Sequence, residues 1–141
     1  MIAYLNGEFK VKNPAYFIVE CNGVGYQVNI SLNTFSKLQT LDKGKIHTYL
    51  HIREDAQILY GFADESEKNL FISLISVQGV GTNTARMILS SMSPADLEEA
   101  IRTENDVLIQ RIKGVGPKTA KRLVIDLKDK IGKGAGATEN S

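Results

Sequence analysis

A thirteen-residue pattern occurs twice in this chain, as VQGVGTNTARMIL at 77–89 and IKGVGPKTAKRLV at 112–124, with a period of 35 residues. Gly79, Val80, Gly81, Thr84 and Ala85 recur as Gly114, Val115, Gly116, Thr119 and Ala120. Val77/Ile112, Arg86/Lys121, Ile88/Leu123 and Leu89/Val124 exchange conservatively. Each copy reads as a helix entering a Gly-Val-Gly turn and a second helix leaving it. The glycines permit positive φ and close approach, and the valine between them can anchor the turn in a core. Turn amides and the first unpaired N–H groups of the outgoing helix then converge on one point, which suits a phosphate oxygen. Nothing in that geometry reads a base, so contacts of this kind are independent of sequence and sensitive to salt. The plainer alternative is a pair of tight helical connections with no ligand. Duplication, with Lys113, Lys118, Lys121 and Arg122 close by, weighs against it.

The net charge of +1 hides an uneven distribution. Residues 111–133 hold Arg111, Lys113, Lys118, Lys121, Arg122, Lys128, Lys130 and Lys133 against Asp126 and Asp129, a local balance of +6. A charge run of this kind is commonly the solvated face of an amphipathic helix. Here it overlaps the second repeat.

The first 62 residues alternate with period two. Ala15 to Cys21 is a β-rich run, Asn22-Gly23 a tight-turn dipeptide, and Val24, Tyr26, Val28 and Ile30 mark a returning strand. Ile46, Thr48, Leu50 and Ile52 form one face of a further strand, with Lys45, His47, Tyr49, His51 and Arg53 on the other. Ile58, Tyr60 and Phe62 mark its partner, so Glu54 and Asp55 sit at a hairpin tip. With Ile2 to Val11 as a first strand, five short strands suggest a small closed or partly open barrel. The stretch 31–38 fits one or two helical turns.

After Gly61 the period becomes helical. Asp64 can cap a helix with Glu67 three residues on, and Leu70, Phe71, Leu74 and Ile75 follow at core spacing. Ser93-Pro94 starts a second helix, Thr103 or Asn105 a third containing Leu108 and Ile112, and Ala120, Leu123, Leu127 and Ile131 line a last one. The expected organisation is a β barrel over 1–63, a helical domain over 64–132 and a flexible linker over 133–141. No apolar run reaches the roughly 18 residues of a membrane span and no export signal is evident at the start, so a cytoplasmic protein without membrane contact is expected. Cys21 cannot form an internal disulfide and reads as a buried thiol.

GVG followed by a small polar pair and TA resembles the helix-hairpin-helix motif, and tandem copies resemble the unit that holds two phosphates across a DNA groove. GVGY (23–26), REDAQILYGF (53–62) and the two hairpins stand in the order and spacing of the RuvA family of Holliday-junction-binding proteins, a resemblance covering residues 1 to about 132. It implies an oligonucleotide-binding-type (OB-fold) barrel followed by a tandem helix-hairpin-helix domain. It also implies a four-fold homotetramer, or two such tetramers face to face as an octamer, holding a four-way junction open. Partners implied are the hexameric ring ATPase RuvB, which supplies the motor for branch migration in recombination and repair, and the resolvase RuvC. The matching DNA-contact positions are Gly79, Gly81, Gly114 and Gly116, with Lys118, Lys121 and Arg122, and Glu54 and Asp55 fall on the family's acidic pin. Two departures stand out. Thr82-Asn83 replaces the Pro-Lys of many relatives, which costs the first hairpin a cation, and the family's third helical domain, beyond the linker, is not in this sequence.

An enzyme using such hairpins as a DNA handle is the competing reading. It needs a lysine nucleophile with a partner acid or a carboxylate cluster on a metal. Neither is evident, so no catalytic residue, metal or cofactor is expected. Glu54 and Asp55 with one metal are the only enzymatic candidate, a weak one without a third ligand. His47 and His51 lie four strand residues apart, about 13 Å, too far to share one ion, and read as solvent-facing. A single-strand-binding barrel would want exposed aromatics, of which Tyr49 is the clear candidate.

Overall fold

The computed structural model describes residues 1–140, with side chains through Ile131. The elements are β1 (Tyr4–Lys12), β2 (Tyr16–Cys21), β3 (Val24–Ile30), α1 (Leu32–Leu38), β4 (Lys43–Arg53), β5 (Ala56–Phe62), α2 (Glu65–Ile75), α3 (Thr82–Ser91), α4 (Pro94–Arg102), α5 (Asp106–Gln110) and α6 (Pro117–Asn140). The expected linker over 133–141 falls on the far end of α6 and the last residue, outside the residues whose side chains are described. The chain divides into two compact units, Met1–Asn69 and Leu70–Ser141, and the division lies inside α2.

In the first unit the five strands close into a barrel in the order β1-β2-β3-β5-β4. All neighbours are antiparallel except β3 and β5, which run parallel over Val28↔Leu59 to Ile30↔Gly61. Alternation delivers one face of each strand inward: Leu5, Phe9, Phe17, Val19, Val28, Ile30, Ile46 and Leu59 form the core, and Leu38 of α1 joins them. The parallel pair ends at Gly61, which faces a crowded part of the barrel interior. A Cβ at Gly61 would lie 2.3 Å from Val28 Cγ1 and 2.7 Å from Ile46 Cδ1, so only glycine fits there. Cys21 is half-buried rather than buried, because it ends its strand. Its thiol donates to the Asn6 carbonyl at 3.5 Å.

The start of α2 departs from the capping pattern read in the sequence. The Asp64 carboxylate pairs with the Lys37 ammonium, and Glu67 is fully buried. Ser31 Oγ and Thr34 Oγ1 each donate to a different oxygen of the Glu67 carboxylate at 2.5 Å. Ser31 also caps α1 by accepting from the Thr34 N–H, and Thr34 Oγ1 accepts from the Ala63 N–H. A buried acid is tolerable only with such partners. This one ties α1 to the strand end that leads into α2.

The second unit is built on the repeat. Val77, Val80, Ala85, Ile88 and Leu89 are buried, and so are their counterparts Ile112, Val115, Ala120, Leu123 and Val124. The Ser93 side chain caps α4, with Pro94 in its first turn, and Asn105 caps α5. α5 ends at Gln110, so Ile112 belongs to the turn that follows rather than to the helix. Among the described residues no helix is long and apolar enough to cross a membrane.

Candidate nucleic-acid interface

Two helical hairpins, α2–α3 and α5–α6, carry the repeated turns. In each, the valine N–H donates back to the carbonyl of an apolar residue in the turn that follows the incoming helix, Val80 to Val77 and Val115 to Ile112, both at 3.0 Å. The valines are buried at 5%, which pins each turn against the core. The outgoing helix opens with the Ala85 N–H bonded to the Gly81 carbonyl (2.9 Å) and the Ala120 N–H to the Gly116 carbonyl (3.0 Å). The amides between, at 82–84 and at 118–119, lie ahead of that first helical bond. Gly81 caps α3 without a side-chain hydrogen bond.

The four glycines have two different reasons to be glycine. Gly79 and Gly114 have φ of +94° and +91°, a region costly for any residue with a Cβ. Gly81 has φ −91°, which any residue adopts, and a Cβ added at Gly81 or Gly116 would meet nothing within 4 Å. The fold requires the first glycine of each pair. The second leaves open space over the amides at the start of a helix, where the macrodipole favours an anion.

Cations surround the second hairpin more densely than the first. Lys113, Lys118 and Lys121 are exposed and Arg122 half-buried, and none has an ion-pair partner among the described residues. The charge count over 111–133 overstates what is free: Lys128 pairs with Glu104 at 2.9 Å, and Lys130 donates to Ser76 Oγ at 3.1 Å. Position 122 corresponds in the repeat to Met87, which is 40% exposed, and position 118 to Asn83. Of the three cations at 118, 121 and 122, only Lys121 has a basic counterpart in the first hairpin, Arg86, so the second hairpin carries the greater positive charge beside its amides. Pro117 has no N–H to offer, whereas Thr82 at the equivalent place has one.

Glu54 and Asp55 form the two-residue turn between Arg53 and Ala56, the last pair of the β4–β5 ladder, and both are exposed. Arg53 Nε lies 3.9 Å from Asp55 Oδ1, a contact the sequence reading did not include. The tip is thus lopsided, with Asp55 partly compensated and Glu54 without an ion-pair partner among the described residues. Nor is there, among the described residues, a group of three or more His, Cys, Asp or Glu able to hold a metal. His47 and His51 are half-buried rather than solvent-facing. The His51 ring lies 6.3 Å from Tyr49 and 6.4 Å edge-on from Tyr60, so strand aromatics cover it. Tyr49 is correspondingly half-buried, which leaves little free face for stacking a base.

Family models match both parts of the chain: "RuvA N terminal domain" over residues 1–61 and "SAM-like Helix-hairpin-helix tandem" over residues 71–129. A protein of Bacteroides fragilis is 55% identical over 135 residues, 96% of this chain and 67% of that protein. One from Bacteroides thetaiotaomicron is 55% identical over 138 residues, 98% of this chain and 68% of that protein. One from Christiangramia forsetii is 50% identical over 139 residues, 99% and 72% respectively. All three are named "Holliday junction branch migration complex subunit RuvA". This chain belongs to the RuvA family. The resemblance read from GVGY, REDAQILYGF and the paired hairpins thus extends over nearly the whole sequence, at a level of identity where a barrel and a hairpin tandem are shared. The chain spans about two thirds of the length of these RuvA relatives.

Proposed function

We propose that this chain binds four-way DNA junctions by their shape, without reading base sequence, as the DNA-holding and non-catalytic subunit of a branch-migration complex. The observation that carries this reading is the pair of hairpins whose second glycines, Gly81 and Gly116, leave the starts of α3 and α6 open to an anion. Gly79 and Gly114 shape the turns, and Lys118, Lys121 and Arg122 supply charge to the second. Such contacts position a backbone and carry no sequence information. Glu54 and Asp55 act as a separator: a carboxylate a few Å from a phosphate, with water partly excluded, is repelled by on the order of a few kcal/mol at an intermediate dielectric. That disfavours continuous duplex at the tip and favours strands that part there. Family membership supports a cytoplasmic homotetramer, or an octamer of two, working with the RuvB ring ATPase and the RuvC resolvase.

Fluorescence anisotropy with a four-way junction, a duplex of matched length and a single strand, each at several salt concentrations, tests the proposal. Expected is a marked preference for the junction, affinity that falls steeply with salt, and no cleavage when magnesium is added. Equal affinity for all three DNAs overturns it. Magnesium-dependent cleavage lost on substituting Glu54 and Asp55 would establish the competing enzyme reading instead.

A further inference from the structure

The β4–β5 hairpin carries a side chain that the barrel does not use. β1 pairs with β4 only as far as His47, with the Thr48 N–H still reaching the Ala3 carbonyl, and β3 pairs with β5 only from Leu59 onward. Beyond those points the two strands pair with each other alone, down to Arg53↔Ala56. Along β4 the core-facing row Ile46, Thr48, Leu50, Ile52 starts at 0% exposure for Ile46 and Thr48, is half-buried at Leu50, and ends with Ile52 65% exposed. The row has run out of barrel. Its last member stands opposite Gln57, two residues from Glu54, on the flank of the ribbon away from His51 and Arg53.

A singly exposed apolar residue is ordinary in itself. The surroundings of Ile52 narrow what could cover it. Gln57 stands opposite it, half-buried Leu50 lies behind it on the same face, and Glu54 and Asp55 follow at the tip. Ile52 is thus the outermost aliphatic side chain of the row and projects next to the charged turn rather than within a broad apolar surface. The neighbouring acids repel phosphate while leaving an uncharged ring face unopposed. A branched aliphatic side chain on a narrow, charged-tipped support suits the face of a nucleobase that has lost a stacking neighbour, as apolar wedges do between base steps. Resting on the junction-binding reading above, we propose that Ile52 is a wedge: its side chain lies against the base exposed where the strands of a bound branched DNA part. The acids keep backbones away from the tip, and Ile52 stabilises the open step beside it.

The test uses the whole chain and four-way junctions carrying 2-aminopurine either next to the crossover or far out in one arm. Binding of the parent is expected to raise the fluorescence of the crossover probe, as that base unstacks, and to leave the arm probe unchanged. Ile52→Ser loses the rise at saturating protein, while Ile52→Leu keeps it. A rise with Ile52→Ser equal to the parent's overturns the wedge. So does a loss of the rise accompanied by a change in native mass, since Ile52 would then be buried between copies of the chain. Anisotropy on the same samples separates the two ideas. Absence of any junction preference in the parent overturns the junction-binding reading and the wedge with it, whereas junction preference with no Ile52-dependent fluorescence overturns the wedge alone.

Discussion

Thr34 Oγ1 donates a 2.5 Å hydrogen bond to a Glu67 carboxylate that is wholly buried. The other carboxylate oxygen accepts from Ser31 Oγ at the same distance, and the two hydroxyls in turn receive the Thr34 and Ala63 N–H groups. Glu67→Ala removes the acceptor for both hydroxyls and leaves them buried, so urea unfolding should report a loss of about 3 kcal/mol, the scale of charged hydrogen bonds lost inside a protein. Glu67→Gln keeps the shape and one good acceptor and should lose less. Equal losses for the two variants would mean that packing, not hydrogen bonding, holds this joint.

The two glycines of each turn should separate cleanly when replaced. Gly79→Ala forces a Cβ into φ +94° and should destabilise the protein by about 1–2 kcal/mol. Gly81→Ala meets no atom within 4 Å and keeps an ordinary φ, so its melting temperature should match the parent's while its junction affinity falls. If Gly81→Ala binds as tightly as the parent, the open space above α3 is not where a phosphate sits.

How much of this was legible in the sequence follows from how local each signal is. Period-two alternation and Asn22-Gly23 gave the strands, and the repeat gave the hairpins, because both depend on spacing within a few residues. The environment of Glu67 was not legible. Asp64 and Glu67 have the spacing of a helix start, and the hydroxyls that claim Glu67 lie more than 30 residues earlier, at Ser31 and Thr34. Charge counting failed for the same reason. Lys128 and Lys130 read as part of a basic run, yet Glu104 and Ser76, distant in sequence, hold them. Gly81 and Gly79 look alike in the sequence and differ only once φ is known.

Hairpin one lacks the cation that Lys118 gives hairpin two. Asn83→Lys should therefore tighten binding to junction and duplex alike and steepen the salt dependence by about one phosphate's worth, a slope change of roughly −0.9 in log K against log salt. Lys118→Ala should do the reverse by a similar amount, without changing the preference among DNAs. Salt titrations of both variants check this. An unchanged slope for Asn83→Lys would place that position away from the backbone.

The tip acids should not be equal. Arg53 Nε is 3.9 Å from Asp55 Oδ1, with both side chains more than half exposed, so the pair is worth no more than about 1 kcal/mol, yet it directs one positive charge at one of the two acids. Glu54 keeps its full field. Duplex binding should tighten more with Glu54→Gln than with Asp55→Asn, and the double substitution should tighten it further and erode the junction preference. Arg53→Gln should act oppositely, weakening duplex binding by exposing Asp55. Affinities for matched junction and duplex at low and high salt test the ranking, and the differences should shrink at high salt because the charges involved are exposed. A double variant that still discriminates as well as the parent would remove the acids from the specificity mechanism and leave junction preference to the spacing of the hairpins.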